Sequence, residues 1–193
     1  MNFLSRAKQA KWFVFLLYLQ LMSSAFAETP KPSKDIWILV NTKQHSLSIM
    51  KKQKTIKTYK DISIGRAGIT ANKITQDDKT PIGRFHVSHI TRKSAFHLFI
   101  GLDYPNLEHT KAAYKKGLIS LDEYIDIQIA LLSHKLPPQN TSLGGEIGIH
   151  GLGTADIDIH KQFNWTKGCV ALTNEQIDDL QRWIQVGTHV IVE

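Results

Sequence analysis

The chain has little cysteine to work with: one residue, Cys169, in 193. A single thiol cannot close a disulfide within its own chain, so the fold must be held by a packed core rather than by a disulfide framework. Cysteine and histidine never cluster at the spacing of a structural zinc site. His86 and His89, three apart in a predicted strand, fall on opposite faces. No metal and no organic cofactor are expected. Long apolar runs are also scarce. The one candidate, Trp12–Met22, is too short to span a bilayer comfortably without its flanks. Internal repeats and low-complexity tracts are absent apart from the short Pro/Lys segment Glu28–Lys34, which reads as a linker.

The apolar run sits in a recognisable setting. Arg6, Lys8 and Lys11 precede it, no acid accompanies it, and Ala25-Phe26-Ala27 closes it. That order matches a secretory signal peptide cleaved after Ala27; an uncleaved segment would leave a signal-anchored protein instead. No cysteine follows the cleavage point, which argues against a lipoprotein. Removing residues 1–27 takes three cations from a formal charge of +7. The remaining mild basic balance suits anionic material in general and does not mark a nucleic-acid partner. Residues 35–193 suffice for one domain with a real core. In an exported protein an unpaired thiol is incidental, intermolecular or reactive.

The first half reads as β-structure. Ile36–Val40 is a short β-favouring run, and Leu47, Ile49, Ile56, Tyr59, Ile62 and Ile64 continue it in pieces. Lys51, Lys52, Lys54, Lys57 and Lys60 decorate the hairpin, as expected of a solvated edge protected from strand-to-strand pairing. A polar loop, Arg66–Lys79, leads into Thr80-Pro81-Ile82-Gly83-Arg84-Phe85, a rigid turn feeding a strand over Phe85–Ile90. Asp77 and Asp78 in that loop read as solvated carboxylates. Leu98–Leu102 is a further strand, broken by Tyr104-Pro105-Asn106.

The pattern then turns helical. His109–Lys116 is helix-compatible, and Ser120-Leu121-Asp122-Glu123 is a capping box opening a helix to about His134, with Ile125, Ile129 and Leu132 on an apolar stripe. This insertion fits either plain packing or a lid over a cleft. The fold class is thus mostly β with α insertions (α+β).

Beyond it, a short strand over Glu146–Ile149 delivers His150, and Gly151 and Gly153 turn the chain into a loop past Asp156, Asp158 and His160. Trp165-Thr166-Lys167-Gly168-Cys169 follows, then Val170-Ala171-Leu172, a helix capped at Thr173 and a last strand over Thr188–Val192. A thiol and an imidazole on separate turn-flanked segments suit nucleophilic catalysis, because strand ends fix reactive groups while adjoining loops leave them accessible. An inert buried cysteine beside a structural histidine is the plainer alternative.

Ile149-His150-Gly151 and, after a fifteen-residue spacer counted from the histidine, Thr166-x-Gly168-Cys169 resemble the signature of the L,D-transpeptidase catalytic domain (YkuD) family. The Gly65 turn, Thr80-Pro81-x-Gly83-x-Phe85, Tyr104-Pro105-Asn106 and Val170-Ala171-Leu172-Thr173-Asn174 are similar to that family too, in particular to its YafK-like branch. The resemblance runs from about Ile36 to Val192. Two positions depart from the family pattern: Lys167 stands where a histidine is usual, and Ala171 where Arg or Asn is common.

The resemblance implies a β-sandwich or barrel with the helical insertion beside an active-site cleft. It implies peptidoglycan stem peptides as substrate, outside the cytoplasm, and leaves a wall-linked protein as a further partner. Cys169 would be the nucleophile, His150 its base, and Gly151 the carbonyl that orients the imidazole. Gly168, with Cys169, would supply oxyanion amides. Trp165, Thr166 and Lys167 would meet substrate, Lys167 also favouring the thiolate. Transfer to an amine, hydrolysis on the same fold, and a non-catalytic wall-binding module remain as alternatives. No nucleic acid and no stable membrane insertion after signal cleavage are expected.

Overall fold

The computed structural model describes residues 35–193; the expected signal peptide and linker lie outside the described residues. Among the described residues ten strands and four helices follow one another. The strands are β1 (Ile36–Asn41), β2 (Ser46–Lys51), β3 (Lys54–Lys60), β4 (Ile69–Thr70), β5 (Thr80–Pro81), β6 (Gly83–Thr91), β7 (Phe99–Leu102), β8 (Gly148–His150), β9 (Val170–Ala171) and β10 (His189–Val192). The helices are α1 (Leu107–Lys115), α2 (Leu121–Leu132), α3 (Ile157–Gln162) and α4 (Asn174–Gln181).

Eight strands form one sheet in the order β3-β2-β1-β10-β6-β7-β8-β9. Strand β1 alternates buried and half-buried residues along its length, the mark of a strand with one face on a core. The C-terminal strand β10 is inserted centrally, parallel to β1 and antiparallel to β6. At one edge, β3 keeps Lys54, Lys57 and Lys60 exposed, as the lysine pattern required. The chain leaving β3 then crosses to the opposite edge. Ser63 and Ala171 exchange both backbone hydrogen bonds, at 3.0 and 2.7 Å, so the sheet curls until its two ends meet. Ile38, Leu47, Ile49, Phe85, Ile100 and Leu172 fill the resulting interior with no exposed surface.

Both capping boxes form. Ser120 and Glu123 close the start of α2, and Thr173 and Gln176 the start of α4, each satisfying amides that the first helical turn leaves orphaned. Two expectations need correction. The stripe Ile125, Ile129 and Leu132 faces outward, at 43, 58 and 79 % exposure, and α2 packs instead through Ile127, Leu131 and Tyr124. The helix is apolar on two faces, so sequence spacing alone did not identify the buried one. The loop after Gly153 holds a short helix, α3, capped by Asp156, whose carboxylate accepts from the amides of Asp158 and Ile159.

Candidate active site

His150 and Cys169 come together where β8 and β9 run side by side. The two strands pair in parallel, Ile149 opposite Val170 and His150 opposite Ala171. Leu172 N–H donates to His150 O at 2.8 Å and locks the register. Cys169 immediately precedes β9, so the expected pair lies on neighbouring strands although nineteen positions apart in sequence.

His150 is 2 % exposed. Its Nδ1 lies 2.7 Å from Gly151 O, and because a carbonyl only accepts, that nitrogen carries the ring proton. Nε2 is left unprotonated, in the state a base requires. Burial holds the imidazole below its ordinary 6.5, partly offset by the Gly151 bond and reinforced by nearby His160. The ring is boxed by aromatics: Phe96 at 4.3 Å, Trp165 edge-on at 5.7 Å and Phe99 at 6.5 Å between centroids. Asn174, the first residue of α4, clamps the following turn by accepting from Gly153 N–H at 2.9 Å and donating to Gly153 O at 3.0 Å. Gly151 is required there, since a Cβ would meet Asn174 Oδ1 at 2.7 Å and Phe96 O at 2.9 Å.

Cys169 is half-buried, and its thiol donates to Glu146 O at 3.2 Å rather than to the imidazole. Burial pushes the thiol up to about 11, against the opposing pull of the Gly148 backbone bond and the charge of Lys73. The resting pair is therefore a neutral thiol beside a neutral imidazole, not a preformed ion pair.

The turn before the cysteine is built from inside. Thr166, 3 % exposed, donates from Oγ1 to Cys169 O at 2.6 Å and accepts from Gly168 N–H at 3.2 Å. Expected to meet substrate, Thr166 instead commits its hydroxyl to shaping the turn. The Gly168 amide, expected at an oxyanion, is engaged by that hydroxyl. Gly168 has φ +134, and a Cβ there would lie 2.8 Å from Lys79 O. Trp165 donates from Nε1 to His160 Nδ1 at 3.2 Å, so it supports the imidazole box from behind while staying half-buried. Lys167 is exposed, and the cation acting on the thiol is Lys73.

Lys73 is the buried cation near the thiol that the sequence did not single out. It is 4 % exposed and donates to Asp77 Oδ1 at 2.7 Å. Asp77, expected to be solvated, has a side chain only 10 % exposed. Burial alone would raise its carboxyl, but bonds from Lys73 and from the amides of Lys79 and Ile74 hold it below its ordinary value. The polar loop closes through these contacts and through the short pairing of β4 with β5. Tyr104, fully buried, anchors its flank by donating to Leu143 O at 3.2 Å. Only the spacing Lys-x-x-x-Asp hinted at the pair, and its burial depends on the tertiary fold.

Curled sheet and site together define a domain with a thiol and an imidazole at the ends of two adjacent parallel strands, the imidazole oriented by a backbone carbonyl. The sequence profile of the L,D-transpeptidase catalytic domain (YkuD) matches residues 35–192, and the chain belongs to that family. No curated protein matches it by sequence. Among solved structures it is similar to Bd1075 of Bdellovibrio bacteriovorus, at 19 % identity and a TM-score of 0.54 over 88 % of this chain and 50 % of that one. It is also similar to the helical cell shape determining protein Pgp2 of Campylobacter jejuni, at 20 % identity and 0.55 over 82 % and 47 %. The chain thus spans about half the length of these two proteins. At such identities the likeness is one of fold. Among the described residues no helix is long and apolar enough to cross a membrane.

Proposed function

We propose that the domain is an exported, cysteine-dependent L,D-transpeptidase acting on peptidoglycan stem peptides. The observation that carries this reading is the His150–Gly151 bond, which leaves Nε2 as a free base on the strand next to the one that Cys169 leads into. Attack begins when the thiol turns from Glu146 O toward the imidazole. His150 Nε2 takes the S–H proton, and sulfur adds to the carbonyl of the third-position diamino acid. The Gly148 backbone, which favours the charged form of the sulfur, steadies the thiolate as the proton leaves. Collapse breaks the C–N bond, and the imidazolium returns its proton to the departing D-Ala amine. The thioester is then resolved by an amine of a second stem, whose proton passes by way of Nε2 to the departing sulfur and restores the thiol.

Burial keeps His150 neutral at neutral pH, so the base is available without a pre-ionised thiol. The signal-peptide pattern of residues 1–27 supports action in the periplasm or at the wall. Incubation with purified muropeptides followed by mass spectrometry tests the reading. Cross-linked or exchanged stems support transfer, free tripeptide stems identify a hydrolase on the same fold, and released wall-linked protein identifies a different acceptor bond. Unchanged muropeptides contradict the proposal.

A further inference from the structure

Next to the turn that leads into Cys169, and reaching it through Lys167 and Lys73, lies a recess of about 480 Å³ that has no role in the steps above. Three of its lining residues are cations, Arg66, Lys73 and Lys167, and one is a carboxylate, Asp78. We propose that this recess is a carboxylate-binding subsite holding the donor substrate by an acidic group next to the bond under attack. Identifying that donor as a stem peptide rests on the function proposed above; the recess and its charge do not.

Lys73 carries the argument. Its ammonium has three donors and, among the described residues, a single bonded acceptor, Asp77 Oδ1. Asp77 has spent its own capacity on the loop, accepting from Lys79 N–H at 2.9 Å and Ile74 N–H at 3.0 Å. A Cβ added to Gly168 would stand 3.2 Å from Nζ, so the bare glycine lets the ammonium lie against the turn that presents Cys169. Burying an ion pair costs several kcal/mol per ion, and apolar residues of equal volume fill such a place at least as well. A charge kept there in spite of that cost, facing a recess at the reacting residue, has a use in the recess.

The rim adds to it. Arg66 is more than half exposed and is held by Asp78 through Nε and Nη2, which fixes its guanidinium while leaving Nη1 unused. Lys167 has no ion-pair partner among the described residues. The lining itself, three cations against Asp78, is positive, and an anion is the complementary guest there, although Asp77 beneath it and Glu146 beside Gly145 temper the charge. In the donor stem two carboxylates lie within one residue of the scissile carbonyl: the terminal carboxylate of the leaving D-amino acid and the side-chain carboxylate of the diamino acid. The buried 0 % exposed Ala171 supplies no polar group for either.

The experiment compares alkylation of Cys169 in the full chain by iodoacetate and by iodoacetamide, two reagents of the same size that differ in a carboxylate. Any change in thiolate fraction affects both rates alike and cancels in their ratio. The ratio is expected to exceed that of the urea-unfolded chain at low salt. It is expected to fall about 3-fold or more in Arg66→Gln and in Lys167→Gln, and the excess to shrink at high salt as charges are screened. Lys73→Met removes the buried cation and unbalances Asp77, so Lys73→Arg, expected to keep the ratio high, accompanies it and circular dichroism reports its folding.

Stem tetrapeptides with a C-terminal amide, or with lysine replacing the diaminopimelate, tell which carboxylate is bound by which one raises KM. A ratio equal to that of the unfolded chain and indifferent to Arg66→Gln and Lys167→Gln overturns the subsite, even if stems are turned over. A cation-dependent ratio in a protein that leaves every stem untouched supports the subsite and overturns the proposed function instead.

Discussion

Nδ1 of His150 donates to the carbonyl oxygen of its own neighbour, Gly151, across 2.7 Å. No acidic side chain is needed to orient the ring: the backbone fixes the tautomer, and Asn174 fixes the backbone through Gly153. A base held in this way, buried and depressed below 6.5, has a pH signature.

The rate should report that signature. With stem peptides, kcat/KM should stay level from neutral pH down to 6.5 and fall only below it, as Nε2 protonates. His150→Ala should cost at least ~100-fold in rate, and His160→Ala far less, because His160 acts on the site from behind Trp165 and through its charge, not on the reacting atoms. An acid limb centred above 6.5, or equal losses in both variants, would show that another group is the base.

The Asn174 clamp should matter to both stability and rate. Asn174→Ala removes two hydrogen bonds to Gly153, which should lower stability by about 1–3 kcal/mol. It should also reduce kcat more than it raises KM, since the loop it frees carries the base rather than the substrate recess. A variant with wild-type unfolding midpoint and kcat would mean that the turn holds itself.

The two faces of α2 give a test of packing. Ile127, fully buried, should cost about 2–5 kcal/mol as Ile127→Ala. Ile129, 58 % exposed, should change stability by no more than about 0.5 kcal/mol as Ile129→Ser. Urea unfolding of the two variants separates them, and the opposite order would restore the stripe that the sequence periodicity suggested.

That reversal shows where the sequence was readable and where it was not. Local chemistry was legible: Ser120 with Glu123 and Thr173 with Gln176 announce helix starts through contacts three residues apart, and both boxes form. The lysines of β3 announced an edge. His150 and Cys169 stood out because glycines and strand ends flank them, and the fold sets them on paired strands. What stayed hidden depends on distant partners. Asp77 looked solvated because the spacing to Lys73 hints at a pair but not at its burial, which the tertiary fold decides. Lys167 drew attention by its position next to Gly168, yet the chain turns it outward while Lys73, almost a hundred positions earlier, comes to lie against the same glycine. The closure of the sheet by Ser63 and Ala171 likewise joins segments that share no local pattern.

Acid should weaken the fold in a predictable window. His150 and His160 both sit below 6.5 in the folded protein, chiefly through burial. The unfolded chain therefore binds more protons at mildly acidic pH, and stability rises with pH there. Their contribution is fully present above 6.5 and is lost as pH falls from that value through the lower folded values. Urea midpoints should be steady above neutrality and drop below 6.5. A midpoint that is constant or rises as the pH is lowered to about 5 would contradict the buried neutral state of both rings.

The central claim is that Cys169 carries the acyl group and His150 moves the proton. Intact-protein mass spectrometry after rapid mixing with a tetrapeptide stem tests it most directly. The wild-type chain should gain the mass of the tripeptide acyl group with release of one D-Ala, the adduct mapping to Cys169. It should disappear on treatment with hydroxylamine, be absent in Cys169→Ala and form far more slowly in His150→Ala. Stem turnover by Cys169→Ala, or an adduct on any other residue, would contradict the account.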